Sequence, residues 1–106
     1  MSEVDFKSIK ELYNHPTLGN IATAIIDDLA ASQGQPDALT FSHAISVATR
    51  RAGGVQPARR DVVDFFRKLE FYGAGKLISG NSVQSEFKWG SVPAIRLARL
   101  VIGEIE

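Results

Sequence analysis

The chain has 106 residues, of which 44% are hydrophobic and 23% charged, a composition that predicts one globular domain and argues against a disordered or membrane-spanning chain. Twelve basic residues balance twelve acidic ones, and this neutrality lowers the expectation of nucleic-acid binding. The chain contains no cysteine, which excludes disulfide scaffolds, thiolate zinc sites and cysteine nucleophiles.

Two helices are predicted in the first part of the chain. Apolar residues at helical spacing predict a short helix over about residues 5–14, which Pro16 ends. A longer apolar stripe predicts an amphipathic second helix. Its members are Leu18, Ile21, Ala22, Ile25, Ile26, Leu29 and Ala30. A polar turn at 32–37 then leads to a short edge strand or extended segment at 38–41.

The middle of the chain is predicted to form two further helices. Thr40 or Ser42 is placed to cap the third helix, which ends where two arginines precede two glycines. The fourth helix covers about 57–72, and Gly73 and Gly75 end it. The apolar positions of the two helices are Ala44, Ile45 and Ala48, and Val62, Phe65, Phe66 and Leu69.

A hairpin and a last helix complete the predicted elements. Residues 76–89 predict two strands joined by a polar loop, with Phe87 and Trp89 on one face. Ser91 is placed to cap a helix over about 91–105. Its predicted stripe is Ala94, Ile95, Ala98, Val101, Ile102 and Ile105, with Leu97 beside it, Leu100 outside it, and Arg96, Arg99 and Gly103 opposite.

This order of elements resembles that of a winged helix-turn-helix domain. The resemblance is carried by residues 62–70, an apolar helix that ends in a leucine and an acidic residue, and by the glycine and apolar strand of residues 75–78. It covers about residues 17–89 and implies a mainly α fold with a small β-hairpin.

The implied domain spans residues 1–106, with additional helices at about 5–14 and 91–105. One feature departs from the family pattern. The turn at 53–57 is longer than the usual turn of about 3–4 residues, which leaves the crossing angle of the two central helices open.

The resemblance implies a small sequence-specific protein that binds double-stranded DNA and regulates transcription. Helix 57–72 would enter the major groove, and hairpin 76–89 would serve as the wing. The charge distribution agrees, because residues 41–88 carry a net charge of +4 and residues 1–40 a net charge of −4. The location expected is the cytoplasm, with nucleoid association if the chain binds DNA.

The residues expected to contact DNA come from three segments. At the start and along the outward side of the fourth helix they are Gln56, Arg59, Arg60 and Arg67; in the hairpin they are Asn81, Ser82, Gln84 and Lys88; at the end of the third helix they are Arg50 and Arg51. Arginine suits this work because its fork bonds guanine or phosphate. Projection of the helix places Asp64 on the same outward side, with Val63 flanking it.

These residues also have structural interpretations. Arg50 and Arg51 suit the negative end of a helix dipole, and Asp61 suits the positive end. Asp64 is placed for an i, i+4 ion pair with Lys68. A polar hairpin tip is typical of any solvated turn.

Partners are open at two levels. The apolar stripes of the first and last helices have two interpretations. They form the contacts of a homodimer, which a small module needs for useful affinity for DNA, or they cover the core of the same subunit. The domain itself is either a DNA-binding protein or a protein–protein interaction module that does not bind DNA. The zero net charge of the chain and the two acidic residues of the fourth helix favour the interaction module. A third alternative is an enzyme subunit without chemistry of its own.

No local motif predicts an enzyme, a metal site or a cofactor. Residues 73–76 resemble part of a phosphate-binding loop, but the full pattern needs glycine and serine or threonine where this chain has Glu70 and Leu77. His15 and His43 lack metal-ligand spacing and are expected at the surface or in caps.

Three further groups are given structural roles. Asp27 and Asp28 are expected on a solvated helix face. The aromatic residues Phe71, Tyr72, Phe87 and Trp89 are either a stacking platform for single-stranded nucleic acid or, as we expect, a core between wing and helix, with Phe71 near the outward side as the exception. The charged start of the chain predicts no secretory signal.

Overall fold

The computed structural model describes residues 4–32, 38–78 and 85–103. Within these ranges the chain is mainly helical with a small antiparallel sheet, which confirms the coarse fold class. The helices are α1 (Phe6–Glu11), α2 (Gly19–Ala31), α3 (Phe41–Arg51), α4 (Arg59–Phe71) and α5 (Ala94–Gly103), with a 3-10 turn at Leu12–Asn14; the strands are β1 (Ala38–Thr40), β2 (Gly75–Ile78) and β3 (Glu86–Trp89). No helix in the described ranges has the length and apolar character needed to cross a bilayer.

The sheet has the strand order β1-β3-β2. The predicted hairpin is present, and β1 joins it as a third strand because Leu39 pairs with Phe87 and both side chains are buried. Side chains alternate along β3, so Phe87 and Trp89 face the core while Lys88 faces outward. The prediction that the two aromatic residues share a face is therefore confirmed.

Aromatic contacts join α4 to the hairpin. The ring centroids of Phe66 and Phe87 lie 6.2 Å apart, and those of Phe87 and Trp89 lie 5.0 Å apart in an edge-to-face arrangement. Phe65 stands beside Phe66 at 6.5 Å, and both rings are fully buried. Buried aromatic rings contribute the largest apolar areas in a core of this size. They fix which side of α4 faces the protein and which faces solvent.

The outer helices cover the core of their own chain. α5 packs against α1 and α2, and its buried residues are Ala94, Leu97, Ala98 and Val101. Leu97, expected beside the stripe, lies at its centre because α5 is contacted from two sides. Of the two interpretations of these stripes, coverage of the core is the one that the structure shows, since Ile9 of α1 is also fully buried.

Two caps differ in outcome. Thr40 caps α3, and its hydroxyl accepts a hydrogen bond of 3.1 Å from the His43 amide. Of the two residues predicted as the cap, Thr40 and Ser42, it is Thr40 that serves. Ser91 does not cap α5: the first helical bond runs from the Leu97 amide to the Pro93 carbonyl, so Ser91 lies before the helix.

Backbone bonds close the turn between α3 and α4. The Gly53 amide bonds the Arg50 carbonyl and the Gly54 amide bonds the Thr49 carbonyl, the two bonds of a Schellman motif. Gly53 and Gly54 have φ of 70° and 102°, a conformation that costs other residues strain. Gly75 has a different reason to be glycine: a Cβ there would collide with the Lys88 carbonyl and lie 2.8 Å from Phe87 Cε2.

The two kinds of glycine predict different losses of stability. Gly75→Ala is expected to lower the free energy of unfolding by about 1–3 kcal/mol, because the hairpin must open to admit the methyl group. Gly53→Ala has open space around its Cβ and is expected to cost about 1–2 kcal/mol, from backbone strain alone. Urea unfolding followed through Trp89, the single tryptophan of the chain, measures both. A larger loss for Gly53→Ala would contradict the close approach at Gly75.

Candidate nucleic-acid interface

The start of α4 is open to solvent. Ala58, the N-cap residue, has an extended backbone, and no side chain caps the helix. The Ala58 carbonyl accepts hydrogen bonds from the Asp61 and Val62 amides at 3.0 and 3.3 Å, so the helix begins with backbone hydrogen bonds. Arg59 and Arg60 are its first two residues, and both are exposed. A helix start that carries two exposed arginines is suited to an anion.

The two arginines are only weakly engaged within the protein. Among the described residues, Arg59 forms no ion pair. Arg60 Nε lies 4.0 Å from Asp61 Oδ1, and the Arg60 side chain is 88% exposed. An exposed pair at this distance contributes little, so neither guanidinium group is held away from solvent.

Further along α4 the outward side carries both charges. Arg67 Nη1 lies 3.4 Å from Asp64 Oδ1, so the predicted pair of Asp64 with Lys68 is wrong: the carboxylate turns to the residue three positions on. Val63, expected beside the outward side, is only 5% exposed. It is buried because α2, α3 and β2 all contact α4 and widen the covered arc.

Arg51 is occupied in a cluster with α2. Its Nη1 lies 3.0 Å from Asp27 Oδ2, and the Tyr13 hydroxyl donates to Asp27 Oδ1 at 3.3 Å. Burial, followed by the Asp27 charge, raises the pKa of Tyr13 above its usual value. Asp27 therefore lies on a solvent-accessible helix face, as expected, and also contacts Tyr13 and Arg51 from two other elements. Arg50, at the same helix end, is exposed and forms no ion pair within the described ranges.

The histidines and Asp28 have structural contacts. His15 Nδ1 accepts from the Thr17 and Leu18 amides, each at 3.1 Å, which confirms the expected capping role before α2. His43 Nε2 lies 3.4 Å from Asp28 Oδ2, so Asp28 also contacts α3 and is not simply solvated. In the ranges that the structure covers, no three potential ligands stand close enough to hold a metal ion.

The hairpin contributes one of the predicted side chains to the described structure. Lys88 is exposed on the outer face of β3. The tip residues Asn81, Ser82 and Gln84 lie outside the described residues. At the other segment, Gln56 is exposed in the turn just before α4. The structure thus brings Gln56, Arg59 and Arg60 to one exposed helix start.

Two features were not among the predicted site residues. Lys76 of β2 pairs in register with Lys88 of β3, so two lysines stand side by side on the outer face of the sheet. Phe71, at the end of α4, is 83% exposed. Helix projection indicated that Phe71 lies near the outward side. The register that pairs the lysines depends on the type of turn that joins the two strands, which the polar composition of the loop did not specify.

The two arginines at the end of α3 are predicted to differ in their effect on stability. Asp27→Asn and Arg51→Gln are each expected to cost up to about 1 kcal/mol, a small value because both side chains are more than a third exposed. The double variant is expected to lose no more than the larger single loss, and Arg50→Gln to lose less than about 0.5 kcal/mol. Chemical denaturation of the four variants tests this. Losses that add in the double variant would contradict the ion pair.

Comparison with known proteins gives no external assignment. Neither the protein-family models, nor the curated proteins, nor the solved structures contain a match to this chain. The function is therefore inferred from the geometry of the described residues.

Proposed function

We propose that this chain is a winged helix-turn-helix protein that binds double-stranded DNA and regulates transcription. The observation that carries the proposal is the exposed pair Arg59 and Arg60 on a helix start without a side-chain cap, where no carboxylate of the described residues holds either guanidinium group closely. Recognition helices contact base edges with their first residues, and arginine bonds guanine O6 and N7 or a phosphate.

The arrangement of elements supports the same function. α3 and α4 are joined by a turn, and the chain continues from α4 into the β2–β3 hairpin. β1, between α2 and α3, pairs with the second strand of that hairpin. The pairing of β1 with the hairpin places the hairpin next to α3 and α4. This arrangement agrees with a wing beside a recognition helix.

We assign the contacts as follows. Arg59 and Arg60 reach the base edges or the flanking phosphates, and Gln56 bonds beside them. Arg50, which is exposed at the other end of the turn, contacts the backbone. Lys88 contributes charge from the wing. Arg51 and Arg67 have only a minor part, because each is already paired with a carboxylate.

This interface is small, and that has a consequence for affinity. A single module buries little surface on DNA, so strong binding requires two copies on two half-sites. The central residues of the α1 and α5 stripes, among them Ile9, Leu97 and Val101, are buried in their own chain and are not free for such a dimer. A homodimer on DNA would therefore use exposed surface outside these residues.

A protein–protein interaction module is the second candidate. It is favoured by the mixed charges along α4, where Asp64 lies between Arg60 and Arg67, and by the exposed ring of Phe71 in the same row. On this alternative α4 would contact a protein, and the arginines would not bind duplex DNA.

Removal of the two arginines tests DNA binding. Arg59→Ala with Arg60→Ala is expected to weaken binding to a random-sequence duplex about tenfold or more at low salt, and to reduce the slope of log affinity against log salt by about two. Fluorescence anisotropy over a salt series measures both quantities.

A variant with the same charge change elsewhere is the control. Lys7→Ala with Arg96→Ala removes two exposed cations from α1 and α5. It is expected to keep the affinity and salt slope of the unchanged chain. An equal loss in this control, or no duplex binding by the unchanged chain at low salt, would reject the DNA-binding function.

A further inference from the structure

We propose that a groove at the base of the hairpin binds a peptide segment of a partner protein in which a carboxylate lies beside an apolar side chain. The groove is open to solvent and has a volume of about 630 Å³, within the range of ligand sites. We call it the Phe71 groove; the lining residues that matter here are Asp5, Glu70, Phe71, Lys76, Lys88 and Trp89. This inference does not depend on DNA binding.

The apolar anchor of the groove is Phe71. Its ring is 83% exposed and stands edge-on to Tyr72, with ring centroids 5.5 Å apart. Large exposed aromatic residues beside a concave surface are typical of the central contacts of protein interfaces. Phe71 is the last residue of α4, about 18 Å along the helix from Arg59 at 1.5 Å per residue. The groove and the arginines of the proposed DNA contact therefore lie at opposite ends of α4, and Lys88 is the one residue assigned to both.

The positive charge of the groove comes from the lysine pair. Lys76 and Lys88 are exposed cross-strand partners, and like charges directly opposite each other destabilise a sheet. Neither lysine forms an ion pair with any residue in the described ranges. A carboxylate placed between the two ammonium groups would relieve the repulsion, and this selects an acidic group in the partner.

The acidic residues of the groove are already engaged. Asp5 caps α1 and accepts from the Ser8 amide at 3.1 Å and from the Ser8 hydroxyl at 2.7 Å. Glu70 Oε2 accepts from the Leu77 amide at 3.1 Å. The carboxylates are thus held by the protein, and the lysines are the charged groups left for a partner.

The same carboxylates decide between classes of partner. A single-stranded nucleic acid carries a phosphate at every nucleotide, and the phosphates beyond the lysine pair would meet the charges of Asp5 and Glu70. A peptide with one or two acidic side chains matches the local lysine pair. Because Glu70 occupies the Leu77 amide, a peptide is not expected to bind by adding a strand to β2 along this amide. Binding then depends on side chains: an apolar residue against Phe71, and a carboxylate at the lysines.

Trp89 provides a reporter for the groove. It is the single tryptophan, it lines the groove, and its indole nitrogen is buried without an acceptor in the described part of the chain. A peptide seated in the groove changes the surroundings of this indole. Binding is therefore expected to shift or quench its emission without any added label.

Selection from a random library tests the proposal. A displayed library of random 12-residue peptides is selected on the immobilised full chain, with no counter-selection against any variant. The expected peptides carry aspartate or glutamate beside an apolar residue. Synthesised and titrated against the chain by Trp89 emission and calorimetry, they are expected to lose about tenfold or more in affinity with Phe71→Ser. Lys76→Gln with Lys88→Gln is expected to weaken them severalfold and to flatten the salt dependence.

Matched controls separate the groove from the rest of the surface. Leu100→Ser changes an exposed apolar residue of α5, and Arg96→Gln an exposed cation; both are expected to bind the peptides unchanged. Arg59→Ala with Arg60→Ala is also expected to bind them unchanged, so loss of DNA binding and loss of peptide binding are distinguishable.

Three results would overturn the proposal. The first is a selection that yields no acidic, apolar peptides, or only peptides indifferent to Phe71→Ser. The second is a dT20 oligonucleotide that binds the chain through Phe71 and the lysine pair, which would make the groove a nucleic-acid site. The third is self-association in sedimentation that Phe71→Ser abolishes, which would make a second copy the occupant.

Discussion

The contact between Phe66 of α4 and Phe87 of β3 is the constraint on which the surface of this protein depends. It joins the helix to the hairpin through fully buried rings, with Phe65 and Trp89 extending the aromatic layer on either side. Once this side of α4 is fixed, the helical periodicity determines which of its other side chains face solvent. Arg60, Asp64, Arg67 and Phe71 must form the outer row, because they recur at i, i+4, i+7 and i+11.

The outer row divides the chemistry of α4 by position. The start of the helix offers arginines that are weakly engaged, the middle holds a closed ion pair, and the end offers an apolar ring beside two lysines. Oppositely charged side chains elsewhere serve the fold: Asp27 holds Tyr13 and Arg51 together, and Asp28 contacts His43. Within the described ranges most carboxylates are occupied by the protein itself, so a chain without net charge still exposes cations that none of these carboxylates holds.

The sequence predicted those elements whose signal is local. The stripe of α2, the Thr40 cap, the glycines after α3 and the shared face of Phe87 and Trp89 all follow from spacing or backbone preference, and the structure agrees. It did not predict long-range partners: Asp27 and Arg51 are 24 residues apart, and nothing in either neighbourhood indicates their contact. Burial of Val63 and Leu97 was missed for a related reason, since the width of a covered helix face depends on how many elements pack against it.

The turn that follows α3 is held by its backbone, and its exposed side chains are not needed to hold it. Its closing bonds are backbone bonds at Gly53 and Gly54, and α4 begins at Ala58 without a side-chain cap. The exposed side chains of residues 55, 56, 59 and 60 consequently have little part in holding the molecule together. Such a segment is free to diversify: new side chains there alter what the protein contacts while the core tolerates the change, so related chains can acquire different specificities on an unchanged scaffold.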